Sequence, residues 1–231
     1  MKPLVRWTCG PVSPAGLRVL KHSLACWRRT YDDRFDMMIC YNNIDIERLY
    51  FAHGFGVKLY NATEKDQFLP MDRWGVSWKI CPPRMRPESY ELILDNDVVI
   101  HGTSDIFEKA IAENKCLMTE GHFRNFGKYA DKLPSKLRLN SGLIGLPPNY
   151  DFGKDLKEVF MGWDDTGEAF DEQGLIALAL TKNPYYIMPL SELHICHENY
   201  VKTPFGIHFV RVNSGAYTFW DEHRKNMVKF L

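Results

Sequence analysis

The 231 residues predict an α/β fold, a single domain on a mixed, mostly parallel central sheet flanked by helices. Three observations carry this reading. Short apolar runs such as Val5–Cys9 and Met37–Tyr41 read as buried strands. Between them lie stretches with apolar residues three and four apart, as at Leu17, Leu20, Leu24 and Trp27, which is the face of a helix. Hydrophobic residues make up 45% and charged residues 25%, so one core forms without staples.

The elements follow in order. After strand Val5–Cys9 the turn-forming GPVSPAG leads into a helix over Leu17–Trp27. Strand Met37–Tyr41 is closed by Asn42-Asn43, a helix over Asp45–Phe51 comes next, and Val57–Tyr60 is a third strand. Helix-like spacing over Gln67–Cys81 ends at Pro82-Pro83. Leu92–Leu94 is the central strand and Val98–Ile100 lies just past it. Ser104 caps a helix reaching Ala112. Strands at Cys116–Met118 and Gly142–Leu146, helices over Asp151–Met161 and Asp171–Leu180, and strands at Tyr185–Met188 and Gly206–Val212 follow. A terminal helix around Tyr217–Val228 ends the chain. Ligands of such sheets sit at the carboxyl ends of the strands.

Composition excludes several functions. Twenty-nine basic residues balance 29 acidic ones, which argues against a nucleic-acid binder or a polybasic membrane-surface protein. No apolar run reaches the ~18–20 residues of a membrane span, and the first residues lack the apolar segment of a signal peptide. Six cysteines are scattered without a CxxC pair and read as reduced, buried thiols. A cytoplasmic protein is expected. The 13% aromatic content suits a flat or sugar-like ligand.

The most informative segment is ELILDNDVVI, residues 91–100. Buried strands exclude bare carboxylates, because an unpaired ion in a low-dielectric interior is very costly. In extended chain, positions two apart share a side, so Asp95 and Asp97 can converge on one point. Two hard oxygen ligands suit Mg²⁺ or Mn²⁺ with coordination sites left for phosphate. Asp95-Asn96-Asp97 is equally good turn chemistry, and the two readings stand about even.

This segment resembles the DxD motif of nucleotide-sugar-dependent glycosyltransferases with the GT-A fold, closest to the family-eight type. LRLNSGLIGL (137–146) resembles that family's FN(S/A)G strand, FDEQGLIALAL (170–180) its acidic-Gln helix start, and GIHFVRVNSG (206–215) its C-terminal HF segment. The likeness runs from Val5 to about Trp220, with Lys79 where relatives carry a basic donor-binding residue. It implies a nucleotide-binding half of about residues 1–100 and an acceptor-side half of about 101–231. It also implies a third metal ligand, His208, which shifts the preference from Mg²⁺ toward Mn²⁺. Without the resemblance, His208 on its apolar strand reads as a core residue. The donor would further meet Thr8, Lys79, Asn96, Asn140, Ser141, Gly142, Gln173 and Arg211.

Glu172 is the match for the carboxylate that faces the donor sugar, or Asp171 if the register differs by one. It would orient the sugar, stabilise positive charge at the anomeric carbon, or deprotonate the acceptor. Both residues equally suit the first turn of a helix. Arg211 and Ser214 stand where relatives have glycine and lysine, which makes Arg211 the substitute phosphate ligand. Thr8-Cys9-Gly10 lacks the residues that relatives place on uracil. His194, Cys196 and His197 are too crowded for zinc and read as a loop or acceptor-side surface. Trp220 reads as core or as a sugar-facing ring.

The expected activity is therefore metal-dependent transfer of a sugar from a nucleotide donor, a UDP-sugar first, to a glycan or other hydroxyl acceptor. The alternatives are a sugar-phosphate nucleotidyltransferase, disfavoured by the pattern of GPVSPAGLR, and a non-catalytic nucleotide- or glycan-binding module.

Overall fold

The computed structural model describes residues 1–62, 69–70, 77–163, 170–196, 200–210 and 220, the side chains of Ser77 and Trp78 excepted. The central sheet has seven strands: β1 (Leu4–Cys9), β2 (Asp36–Tyr41), β3 (Lys58–Asn61), β4 (Glu91–Asp95), β6 (Cys116–Glu120), β7 (Leu139–Leu146) and β8 (Tyr185–Met188). Their order is β3-β2-β1-β4-β7-β6-β8. The first four are mutually parallel. Strand β7 runs antiparallel to both β4 and β6, and β8 returns parallel to β6. A second, three-stranded sheet is built from β5 (Val98–Ile100), β10 (Gly206–His208) and β9 (Leu193–Ile195), in that order.

Among the described residues four α-helices flank the large sheet. Helix α1 (Pro14–Tyr31) starts where Ser13 Oγ accepts from Gly16 N and proline fills the first turn. Helix α2 (Asp105–Ala112) has Ser104 as its cap, accepting from Phe107 N as the sequence predicts. The others are α3 (Phe152–Val159) and α4 (Asp171–Leu180). Strand alternation sorts the side chains. Leu92 and Leu94 of β4 join Trp7, Leu24, Trp27 and Phe107 on the α1/α2 face. Ile93 joins Leu156, Leu175 and Ile176 on the α3/α4 face. A smaller cluster links α1 to the second sheet through Val19, Val99, Ile207, Phe209 and Trp220.

Some expectations change in detail. The helix expected at Asp45–Phe51 is a 3₁₀ segment, Ile46–Phe55, that stops at Gly56 in the left-handed region (φ 71°). Lys79 sits on a single 3₁₀ turn, Ser77–Ile80, and the rest of the helix expected at Gln67–Cys81 falls largely outside the described residues. So do the terminal helix, apart from Trp220, and Arg211, Ser214 and His197. Strand β10 ends at His208 because Phe209 N turns to donate to the Asp97 carbonyl (2.9 Å).

Arg6 is the one charge inside the apolar run of β1, and it is fully buried. Its Nε lies 2.8 Å from Glu91 Oε1, while Arg84 Nε approaches Glu91 Oε2 at 3.3 Å. Met85 N and Arg86 N each donate to Glu91 Oε2 at 2.9 Å. This network ties the amino end of β4 to the turn after Pro83. Glu91→Gln leaves Arg6 as an uncompensated buried charge and is expected to cost about 3–5 kcal/mol. Urea unfolding checks this, and an unchanged midpoint would contradict it.

Candidate metal and donor site

The parallel register pairs Thr8 with Asp95, so β1 and β4 end side by side. Past Asp95 the chain turns at Asn96-Asp97 and enters β5. The tripeptide is thus a turn and a convergence of carboxylates at once. Strand β10 pairs antiparallel with β5, setting His208 opposite Val98. That alignment brings His208 Nε2 to 3.2 Å from Asp97 Oδ1 and 4.0 Å from Asp95 Oδ2.

Each of Asp95, Asp97 and His208 offers a ligand atom, and the three atoms lie within 4.8 Å of one another. Among the described residues no other group of His, Cys, Asp and Glu does this. The side chains are 26%, 13% and 6% exposed respectively, so the imidazole forms the floor and Asp95 the open lip. Two carboxylates and an imidazole are a fitting donor set for a hard divalent cation that keeps open positions. Asn96 Nδ2 is buried beside them with no hydrogen-bond partner among the described residues. Burial pulls the His208 ring toward neutrality, but Asp97 and then Asp95 outweigh it and hold its pKa above the ordinary value.

Lys79 is buried, and it gathers distant parts of the chain. Its Nζ lies 2.9 Å from Glu172 Oε1 and 3.2 Å from Asp95 Oδ1, and donates to Ser141 Oγ at 2.9 Å. Desolvation works against the ammonium, yet Asp95 and Glu172 outweigh it and keep its pKa raised. Burial pushes the Glu172 carboxyl above the usual range; Lys79 pulls it back, and Asp95 adds to the rise.

The two acidic residues of α4 part ways. Glu172 joins this cluster. Asp171 instead accepts from Lys128 N (2.9 Å) and fixes the neighbouring 3₁₀ segment Gly127–Lys132. A Cβ at Gly127 (φ 49°) would collide with the Asp171 carboxylate, so glycine is required there.

Asn140, Ser141 and Gly142 lie within β7, opposite the register shift between Met118 and Thr119 of β6. What approaches Gly142 closely is His208: a Cβ at 142 would strike its Cε1 and lie 2.5 Å from its Nδ1. Gly142→Ala is expected to displace the imidazole and weaken Mn²⁺ binding by about tenfold or more, a typical cost of disturbing a ligand's support. Titration of the nucleotide-free protein with Mn²⁺ measures it, and wild-type affinity would contradict this role. Asn140 and Gln173 hydrogen-bond to each other, Nδ2 to Oε1 at 3.1 Å. Thr8 Oγ1 donates to Leu94 O at 3.2 Å, close against Asp95.

Other candidates resolve differently. Trp220 is buried, packed edge-on against Phe209 (5.6 Å) and His22 (5.1 Å), and so is a core ring. His194 and Cys196 are not on a loop surface. His194 lies on β9 with Cys196 just after it, both are buried, and Cys196 packs in the cluster of Val99, Ile207 and Phe209. The His194 ring meets His122 edge-on at 5.7 Å. The backbone carbonyl of Asn125, which accepts from Gln173 Nε2 at 2.6 Å, carried no signal in the sequence, since a carbonyl has no residue type.

No protein-family model matches the sequence, and no curated protein matches it. Solved structures do. One is the galactosyltransferase LgtC in complex with donor and acceptor sugar analogs: 12% identity, 95% of each chain covered, TM-score 0.63. Another is the bifunctional glycosyltransferase WbbM in its apo form: 10% identity, 90% of this chain and 46% of that one, TM-score 0.63. A third is mouse xyloside xylosyltransferase 1, also apo: 9% identity, 92% of this chain and 99% of that one, TM-score 0.54. The mixed seven-stranded sheet with its flanking helices is the fold of the GT-A glycosyltransferases.

Proposed function

We propose that the protein is a metal-dependent glycosyltransferase that moves a sugar from a nucleoside-diphosphate donor, a UDP-sugar first, to a glycan or other hydroxyl acceptor. The observation that carries this is the meeting of Asp95, Asp97 and His208 at the carboxyl end of β4, beside the buried Lys79–Glu172 pair. The LgtC structure holds donor and acceptor sugar analogs on the same fold, which supports the reading.

In this reading Asp95, Asp97 and His208 hold Mn²⁺, or Mg²⁺ in its place. The bound cation would neutralise charge on the departing diphosphate as a Lewis acid. Asn96 brings a buried amide donor to the same point, and Thr8 flanks it from β1. Lys79 pairs with Glu172 at 2.9 Å and fixes its carboxyl group, so that it can face the sugar. Ser141 and Gly142 shape the wall next to it, with Asn140 and Gln173 behind. Arg211, outside the described residues, would serve as a phosphate ligand. Residues up to about 100 form the nucleotide-binding half and the remainder the acceptor side.

A cytoplasmic setting belongs to the same proposal. All six cysteines are buried thiols, and no helix among the described residues is long and apolar enough to cross a membrane.

The test is thermal unfolding with UDP, GDP and their sugars, with and without Mn²⁺. Ligand at about 100 times Kd adds about 2.7 kcal/mol. One nucleotide that stabilises only with Mn²⁺ is the expected result. Stabilisation by none of them would return Asp95-Asn96-Asp97 to a turn.

A further inference from the structure

Three amide and imidazole side chains form a single file of hydrogen bonds ending at His208. Gln173 Nε2 donates to the backbone carbonyl of Asn125 at 2.6 Å. Gln173 Oε1 accepts from Asn140 Nδ2 at 3.1 Å and from Ser141 N at 3.4 Å. Asn140 Oδ1 in turn accepts from Gly142 N at 2.9 Å and faces His208 Nδ1 at 3.1 Å.

The direction of this file is fixed by groups that have no choice. A backbone carbonyl only accepts, and a backbone N–H only donates. Asn125 O forces Gln173 to present its nitrogen there and its oxygen to Asn140, and Ser141 N agrees. Gly142 N forces Asn140 to present its oxygen, which leaves His208 Nδ1 one role, that of donor. Nε2 is then the nitrogen facing Asp97 and Asp95, at 3.2 and 4.0 Å.

We propose that Asn140, held by Gln173, is a positioning residue: by accepting from His208 Nδ1 it fixes the imidazole with Nε2 turned toward a cation between the carboxylates. The assignment rests on reading His208 as a metal ligand. Asn140 and Gln173 thereby act on the cation site from behind it. The file also links that site to the segment around Asn125, since the acceptor that orders it is a backbone carbonyl there. Which nitrogen of a histidine carries the proton is set by the hydrogen bond the other can make.

The experiment is long-range ¹H–¹⁵N spectroscopy of the histidine-labelled protein saturated with diamagnetic Mg²⁺, because without a cation the Asp97 carboxylate, 3.2 Å from Nε2, would itself accept a hydrogen bond from a proton there. The His208 signal is assigned by its loss in His208→Gln. The expected spectrum has a protonated Nδ1 and an Nε2 without a proton, the reverse of the tautomer a free histidine side chain prefers. Asn140→Leu is expected to lose that preference and to bind Mn²⁺ about 10–100-fold more weakly. Gln173→Met, which leaves Asn140 without its anchor, shifts both readouts the same way by a smaller factor.

A protonated Nε2 in the Mg²⁺-saturated wild-type protein would overturn the proposal. So would a folded Asn140→Leu with wild-type tautomer and wild-type Mn²⁺ affinity. No sugar or nucleotide enters these measurements. Absence of transfer activity with an Nδ1–H spectrum would therefore count against the glycosyltransferase reading and leave this one standing.

Discussion

Asp97→Asn is expected to lower sugar transfer by about 10³-fold while the protein stays folded. Asparagine keeps the shape of the turn, and the bond from Phe209 N to the residue-97 carbonyl does not depend on the side chain. What is lost is one of the two carboxylates of the proposed ligand set, 3.2 Å from the His208 imidazole. A cation contributes several kcal/mol by stabilising charge that develops in the transition state. Losing about 4 kcal/mol of that is about three powers of ten in rate. Initial rates at saturating donor and Mn²⁺, with circular dichroism as the folding control, make the comparison. Transfer at the wild-type rate would sink the metal assignment.

Lys79→Met should be the most destabilising change at the site, and its cost should depend on pH. The ammonium lies 2.9 Å from Glu172 and 3.2 Å from Asp95, with Lys79 and Glu172 both buried. Removing it strands a buried carboxylate, at about 3–5 kcal/mol. Glu172 already has a raised pKa from burial, and losing Lys79 removes the main influence pulling it down. Below about pH 4 both folded and unfolded chains carry the proton, and the penalty is small. As pH rises past the ordinary carboxylate value the unfolded chain releases its proton while the folded one keeps it, so stability falls. Urea unfolding of Lys79→Met should therefore show a deficit that grows from pH 4 to pH 7. A further Glu172→Leu substitution should recover part of it. A deficit independent of pH would mean that Lys79 does not govern Glu172.

The carboxylate pair was legible because Asp95 and Asp97 break an apolar run, an anomaly contained within ten residues. Turn and candidate ligand pair could not be told apart there, since the same residues both turn the chain and bring their carboxylates together. His208 was legible only through resemblance. Its own window is apolar, and what brings it to Asp97 is the pairing of two three-residue strands, too short to leave a periodic trace. Lys79 shows the opposite difficulty. A lysine near a helical pattern reads as solvated, and its burial follows from Asp95, Ser141 and Glu172, which no local window contains. Arg6 was passed over for the same reason, compensated as it is by Glu91, and His194 was read as loop surface although it is buried on β9. The parallel half of the sheet follows from strand–helix alternation. The insertion of β7 between β4 and β6 does not, because strand order has no signature in hydropathy.

The alignment of β5 with β10 also decides how the chain can change in length. A shift of one residue in a strand turns every side chain to the other face. Since Val98 pairs with His208, adding or removing a residue within Gly206–Phe209 would swing the imidazole away from both carboxylates and leave a wholly apolar neighbour in its place. Strand β9 is held to the same count, since His208 pairs with Ile195 on it. In diverging descendants of this sequence, the spacing from Gly206 to Phe209 has to keep count with the spacing from Asp97 to Ile100.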